Sequence, residues 1–292
     1  MDRDTSSDQK LKELINEFRE NPDVASDVFM EITELIWDAG TCYPLFWETV
    51  PCLIEVASGL KIEESKDLWS YLGCWISTEE KYRDGASKEV LEHFESSLKY
   101  AVGACIEQIA RVDKLDDTDA QYLYASLFAF AKHRLGYMTM GGYMDAFAGT
   151  TITECPQGHL NDVTVYNSGI VAYEENEKPC ALNIPGPVDI GYESQENNSW
   201  KLLEEKIQIV LDNENTDKEV KAHLQLSKDI LSRGVDLRLD IKYAFSVYGS
   251  LLYCNGSVDA GMRVFHGLDE ITCTECGKKF VFADGWCEDK LA

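Results

Sequence analysis

A chain of 292 residues with 45% apolar and 11% aromatic side chains can bury one elongated core or two packed ones, which excludes a disordered segment. Its formal charge of −25 sets 52 acids against 27 bases, a surface that repels phosphate backbones and excludes nucleic acid as the expected partner. No window reaches the ~18 unbroken apolar residues of a membrane span, so no membrane partner is expected either. The opening Met1-Asp2-Arg3-Asp4-Thr5 has acids and no apolar core, unlike a signal peptide, and the expected location is cytoplasmic. In such a reducing compartment ten cysteines point to metal ligands and core thiols instead of a disulfide frame.

The predicted elements begin with a helix over 7–20, where Leu11, Leu14, Ile15 and Phe18 share one face. Asn21-Pro22-Asp23 stops it and starts a second helix to about Asp38, with Val24, Val28, Ile32, Leu35 and Ile36 inward. Tyr43-Pro44 opens a third through Ala57, and its interior Pro51 is expected to kink it. A fourth over 63–77 carries Leu68, Trp69, Leu72, Trp75 and Ile76, an aromatic stripe that reads as a packed interface. A fifth over 86–110 turns Val90, Leu91, Phe94, Leu98, Val102, Ile106 and Ile109 to one side. After an acidic connector, Asp117 or Thr118 caps a sixth helix over 119–135, with Leu123, Leu127 and Phe130 inward. Paired amphipathic helices with short turns predict a mainly α fold built as an α-helical repeat or α-solenoid, because each pair buries its face on its neighbours.

The texture changes at 150. Ile152, Val163, Val165, Ile170 and Val171 alternate over 150–173, with Asn167-Ser168-Gly169 as a turn between strands. Residues 179–192 hold three of the seven prolines and read as a loop, and twelve acids against four bases over 174–219 mark a solvated stretch. Helices return at about 199–212, 217–233 and 238–253, a short one follows near 257–266, and Phe280-Val281-Phe282 is strand-like. The expected regions are therefore 1–149 (helical), 150–195 (a β-hairpin insert with an acidic, proline-rich loop), 196–270 (helical) and 271–292 (a second knuckle).

Two motifs carry the chemistry. Cys155-Pro156-Gln157-Gly158-His159 and Cys273-Thr274-Glu275-Cys276-Gly277 lie 118 residues apart. Cys155, His159, Cys273 and Cys276 together offer three thiolates and an imidazole, the donor set of a closed, structural Zn2+ site with no position left for a catalytic water. Gly277 lets the knuckle backbone turn toward the sulfurs. Cys155-x3-His159 alone is the weaker signal and also fits a buried cysteine near a surface histidine. Cys287 is the rival ligand in place of His159. Cys42, Cys52, Cys74, Cys105, Cys180 and Cys254 have no partners and read as core thiols. A redox use of Cys273 and Cys276 would need a helix after the first cysteine, where the sequence is strand-like.

With the knuckles in register, Met144 aligns with Met262, Phe147 with Phe265, Gly149 with Gly267 and Val163 with Val281. This suggests an internal repeat in which each half delivers a knuckle on a hairpin. Glycine-rich phosphate loops, G-x-S-x-G and H-E-x-x-H are all absent from the sequence. His93, His133, His223 and His266 read as surface or capping histidines, and Glu63-Glu64 and Asp116-Asp117 as acids that complement helix starts.

Gly40-Thr41-Cys42-Tyr43-Pro44, with Val50-Pro51-Cys52-Leu53-Ile54-Glu55 and the last knuckle, resembles segments of uncharacterised bacterial HEAT-like repeat proteins with C-terminal cysteine (zinc) knuckles. The resemblance covers roughly 25–80 and the C-terminal knuckle, and implies a HEAT-like scaffold of bacterial origin without assigning any catalytic residue. Gly158 with His159 departs from it and leaves the ligand set open. The functional expectation is a non-enzymatic protein–protein interaction scaffold stabilised by one structural zinc, with an unknown protein partner for which the acidic charge suggests a basic face. An acidic immunity- or antitoxin-like inhibitor of a basic toxin is the first alternative, and a zinc-dependent hydrolase the second.

Overall fold

The computed structural model describes residues 5–38, 41–77, 86–140, 150–172, 181–186, 199–236 and 238–286. The fold is mainly helical, with small antiparallel sheets. Helix α1 (Thr5–Glu20) packs on α2 (Asp27–Ile36). The second helix starts later than Pro22 because Ser26 is its N-cap, accepting from the Phe29 N–H at 3.3 Å. It ends where Trp37–Asp38 (β1) pairs with Thr41–Cys42 (β2).

Four helices follow: α3 (Phe46–Ser58), which runs on past Pro51, α4 (Ile62–Ser77), α5 (Lys88–Ala110) and α6 (Asp117–Phe130). Helix α3 lies on α5 and α4 on α6, while successive helices also touch. The aromatic stripe of α4 is buried at this stack. The Trp69 ring lies 5.7 Å from Phe130 and the Trp75 ring 5.6 Å from Phe29. Buried Gln108 ties the layers together. Its amide donates to the Ala57 and Leu60 carbonyls and accepts from Ser65 and Trp69.

The helix expected to run to 135 is two helices. Lys132 adopts φ 56°, and the His133 N–H returns to the Phe128 carbonyl at 2.8 Å, which closes α6 at Phe130. The imidazole of His133 then accepts from the Leu135 N–H at 3.0 Å and opens α7 (Arg134–Met138). Asp116 caps α6, one residue ahead of the expected cap.

In the C-terminal half a 3-10 turn (Ser199–Leu203) leads into α8 (Glu204–Leu211), α9 (Lys218–Leu231), α10 (Ile241–Cys254) and α11 (Val258–His266). Helix α10 is buried through most of its length because it packs on α6, α8, α9 and α11 together. The 3-10 turn packs on α5, so buried residues of both halves form one continuous core.

Strands β3 (Thr150–Glu154), β4 (Leu160–Tyr166) and β5 (Gly169–Ala172) form a three-stranded antiparallel sheet with β4 central. Strands β6 (Glu270–Thr272) and β7 (Lys279–Val281) form a hairpin. Phe282 opens a short helix, α12 (Phe282–Gly285), instead of extending the strand. Helix α11 packs on β4 and β5, β5 on β6, and α12 on β3, which brings the two hairpin loops together.

Candidate metal centre

Strand alternation aims the ligands. On β3 the inward positions are Thr151, Thr153 and then Cys155; on β6 they are Ile271 and then Cys273. Each cysteine is thus the last inward residue before its loop. In the first loop the Gly158 N–H donates to the Cys155 carbonyl at 2.8 Å and the Cys155 N–H to the His159 carbonyl at 2.9 Å. In the second, the Gly277 N–H donates to the Cys273 carbonyl and the Cys273 N–H to the Lys278 carbonyl, both at 2.9 Å. Gly158 and Gly277 carry the left-handed turns, at φ 84° and 70°.

The loops differ by one residue. Five residues separate Glu154 from Leu160 and six separate Thr272 from Lys279, each end pair being in register across its hairpin. The extra residue admits Cys276 ahead of the glycine, where the first loop has the glycine itself and then His159. The repeat alignment therefore slips by one beyond the knuckles, and Val163 and Val281 are not equivalent. Its upstream partners Met144, Phe147 and Gly149 lie outside the described residues.

Cys155, His159, Cys273 and Cys276 converge, their ligand atoms all within 4.8 Å of one another. Cys155 Sγ lies 3.5 Å from His159 Nδ1 and 3.9 Å from Cys276 Sγ, and Cys273 Sγ lies 3.7 Å from His159 Nδ1. A tetrahedral ion with metal–sulfur bonds of about 2.3 Å and a metal–nitrogen bond of about 2.0 Å needs S···S edges of about 3.8 Å and S···N edges of about 3.5 Å. The residues fit a metal ion held through Nδ1 of the histidine. Its Nε2 then faces Glu275 Oε2, 3.8 Å away, the placement of a carboxylate that orients a ligating imidazole.

The surroundings favour thiolate at Cys273. Burial opposes ionisation of Cys273, but the Cys276 and Glu275 N–H groups, the Cys276 thiol and the Asn161 amide outweigh it and bring the pKa from 9.0 to about 6. At Cys276 the Lys278 N–H favours the thiolate, yet desolvation and the neighbouring Cys273 and Cys155 sulfurs leave that thiol raised. Mutually repelling sulfurs of this kind are what a divalent cation relieves.

Asn161 was not singled out by the sequence motifs. It is fully buried on β4, and its amide donates to the His159 carbonyl at 3.0 Å and to Cys273 Sγ at 3.7 Å. Its carbonyl oxygen accepts from the Thr274 N–H at 2.9 Å and the Thr274 hydroxyl at 3.2 Å. One side chain thereby joins both knuckles. The available signal was its register: Asn161, Val163 and Val165 all point inward, and a polar residue on that face needs a partner.

The rival ligand Cys287 and Cys180 lie outside the described residues. Cys42, Cys52, Cys74, Cys105 and Cys254 form no disulfide and lie in helical packing or beside it. Burial raises Cys52, Cys74 and Cys105 and pushes Cys254 up to about 12, in contrast to Cys273. Three of the four isolated histidines are not on the surface. His133 is a buried cap, while His266 and Asp269 form a buried pair at 2.6 Å. His223 is buried with Nδ1 3.1 Å from Ser246 Oγ and its ring stacked on Phe265. Each buried imidazole has a polar partner, the Leu239 carbonyl for His133, Ser246 for His223 and Asp269 for His266, which spacing does not reveal. Glu63, Glu64, Asp116 and Asp117 do sit at helix starts. No helix among the described residues is long and apolar enough to cross a membrane.

No known protein family, curated protein or solved structure matches this chain. Its site stands on its own chemistry.

Proposed function

We propose that the protein is a non-enzymatic interaction scaffold, a HEAT-like helical repeat whose two hairpins are clasped by one structural zinc. The observation that carries this reading is the closed Cys155–His159–Cys273–Cys276 set, drawn from loops 118 residues apart, with edges that suit Zn2+. Four protein donors leave no open position for substrate or a reacting water, which favours a clasp over hydrolysis. Zinc binding there becomes folding free energy for the hairpin region. Helices α3 to α6, stacked two apart, favour the repeat reading, and the −25 charge favours a protein partner with a basic face.

Elemental analysis of protein purified without added metal tests the clasp. One zinc per chain is expected, with Cys276→Ser losing it and melting several degrees lower; metal-free protein would remove the reading. Capture of a basic partner from the native host should weaken steeply between low and high salt, and an interaction indifferent to salt argues against a charge-matched partner. A partner with toxic enzymatic activity blocked by this chain would favour the inhibitor reading.

A further inference from the structure

A cleft of about 730 Å3 opens between α5, the α6–α7 junction and residues 199, 200, 235, 236 and 238, and it shares no residue with the metal centre. Its size is that of a small-molecule site. We propose that it binds a small amphipathic anion, a carboxylate, sulfonate or phosphate carried on a flat apolar body.

Charge comes first. Lys99, Arg111, Lys132 and Arg238 line the cleft against Glu95, Glu107 and Asp236, an excess of cation in a chain whose overall balance is −25. The carboxylates position the cations. Asp236 holds the Arg238 guanidinium as a fork, with Nε 3.1 Å and a terminal nitrogen 2.6 Å from Oδ2. Arg111 touches Glu107 only at 3.9 Å and stays well exposed. An anion entering here meets the exposed Arg111 guanidinium, which has donors to spare, beside that of Arg238, and a guanidinium suits planar or bidentate recognition.

The walls supply the apolar half. Phe130, Trp200 and Val235 form the floor, and half-exposed Tyr100 stands at the rim with its hydroxyl donating to Ser58 Oγ at 3.2 Å. Gly103 opens this wall: a Cβ there would reach within 3.0 Å of Ser199 Oγ. Aromatic floor beside guanidinium is the setting in which a flat anion gains both stacking and charge.

Lys132 is an independent pointer. It occupies the left-handed position after α6, where glycine is the common choice and a side chain strains the backbone. The strain is retained at a residue that faces the cleft, with its ammonium paired to Glu95.

Fluorescence titration of the full folded chain with 8-anilinonaphthalene-1-sulfonate at low salt tests the assignment. Binding is expected to saturate at one per chain and to be displaced by indole-3-carboxylate. The double variant Arg111→Gln with Arg238→Gln, both at exposed positions, should weaken binding by about tenfold or more. Ala104→Trp, which fills the cleft, should abolish it. Lys132→Gly should weaken binding without lowering the melting temperature, because the strained backbone is relieved as the cation is lost. Binding unchanged in the double variant and in Ala104→Trp overturns the site. Displacement by inorganic phosphate as effective as by indole-3-carboxylate overturns the amphipathic class.

Discussion

Asn161 binds the two knuckles to each other through one amide, so its loss should be felt on both. Asn161→Ala removes the acceptor of the Thr274 N–H and one of the two donors to the His159 carbonyl, which keeps the Cys155 N–H. Each such bond is worth about 0.5–1.5 kcal/mol net, and outer-shell residues of metal sites typically control affinity by about 10–100-fold. Competition with a chromophoric chelator should show zinc affinity falling in that range while far-ultraviolet circular dichroism keeps its helical signal. Unchanged affinity would make Asn161 a packing residue only. The cysteines themselves were legible because C-x2-C and C-x3-H are spaced by chemistry that acts within a few residues. Asn161 was not, because its meaning depends on strand register, which only folding reveals. His223 shows the same limit. Burial pushes its pKa down to about 4, with Asp269 pulling upward and His266 downward. Unfolded, it titrates near 6.5, so below that pH the unfolded chain binds the extra proton. Stability from this residue is complete above about pH 6.5 and is lost progressively toward pH 4, by about 3 kcal/mol in all. Urea unfolding at pH 7 and pH 4.5 should show a smaller acid loss in His223→Gln than in the wild type. The metal ligands titrate in both proteins and cancel; equal losses would contradict the assignment.

At the scale of elements, each knuckle is a short loop that a hairpin closes, and each needs one glycine in the left-handed region. Gly277 has nothing within 4 Å of a would-be Cβ, so Gly277→Ala tests backbone strain alone. A left-handed alanine costs about 1–2 kcal/mol, and Gly277→Asn should cost less because asparagine tolerates that region. Thermal unfolding of the zinc-loaded protein measures both. Alanine as stable as wild type would mean that the loop takes another turn. Helix periodicity placed most elements to within a turn, since burial of one face is written into spacing. It failed where a boundary was set by a local bond. Ser26 opens α2 four residues after Pro22, and Lys132 with His133 splits the sixth predicted helix in two. The inward face continues across 130–135, so the apolar pattern alone could not show the break.

Across the whole molecule the candidate metal site draws its ligand atoms from chain segments more than a hundred residues apart. Helix α11 packs on β4 and β5, β5 lies on β6, and α12 lies on β3, so the two hairpins form one corner against the C-terminal helices. The Arg134 guanidinium donates to the Trp286 carbonyl at 3.1 Å and links α7 to that corner. Helices α3 to α6 are buried against one another and need no metal to stay so. Chelation should therefore act regionally. Hydrogen exchange after 1,10-phenanthroline treatment is expected to lose protection in 150–172 and 270–281 and to keep it in 88–130. Uniform loss would show that the clasp holds the entire core, and no loss that it holds nothing. The mainly helical class was legible from composition and periodicity; the meeting of the two knuckles was inferred from ligand count alone, since nothing in a sequence measures a distance across a fold.

The most direct test is X-ray absorption at the zinc edge of the chain purified without added metal. One zinc per chain is expected, with three sulfur neighbours at about 2.3 Å and one nitrogen at about 2.0–2.1 Å. Absence of zinc, or a shell in which oxygen replaces a sulfur or the nitrogen, would contradict the closed clasp between the two knuckles.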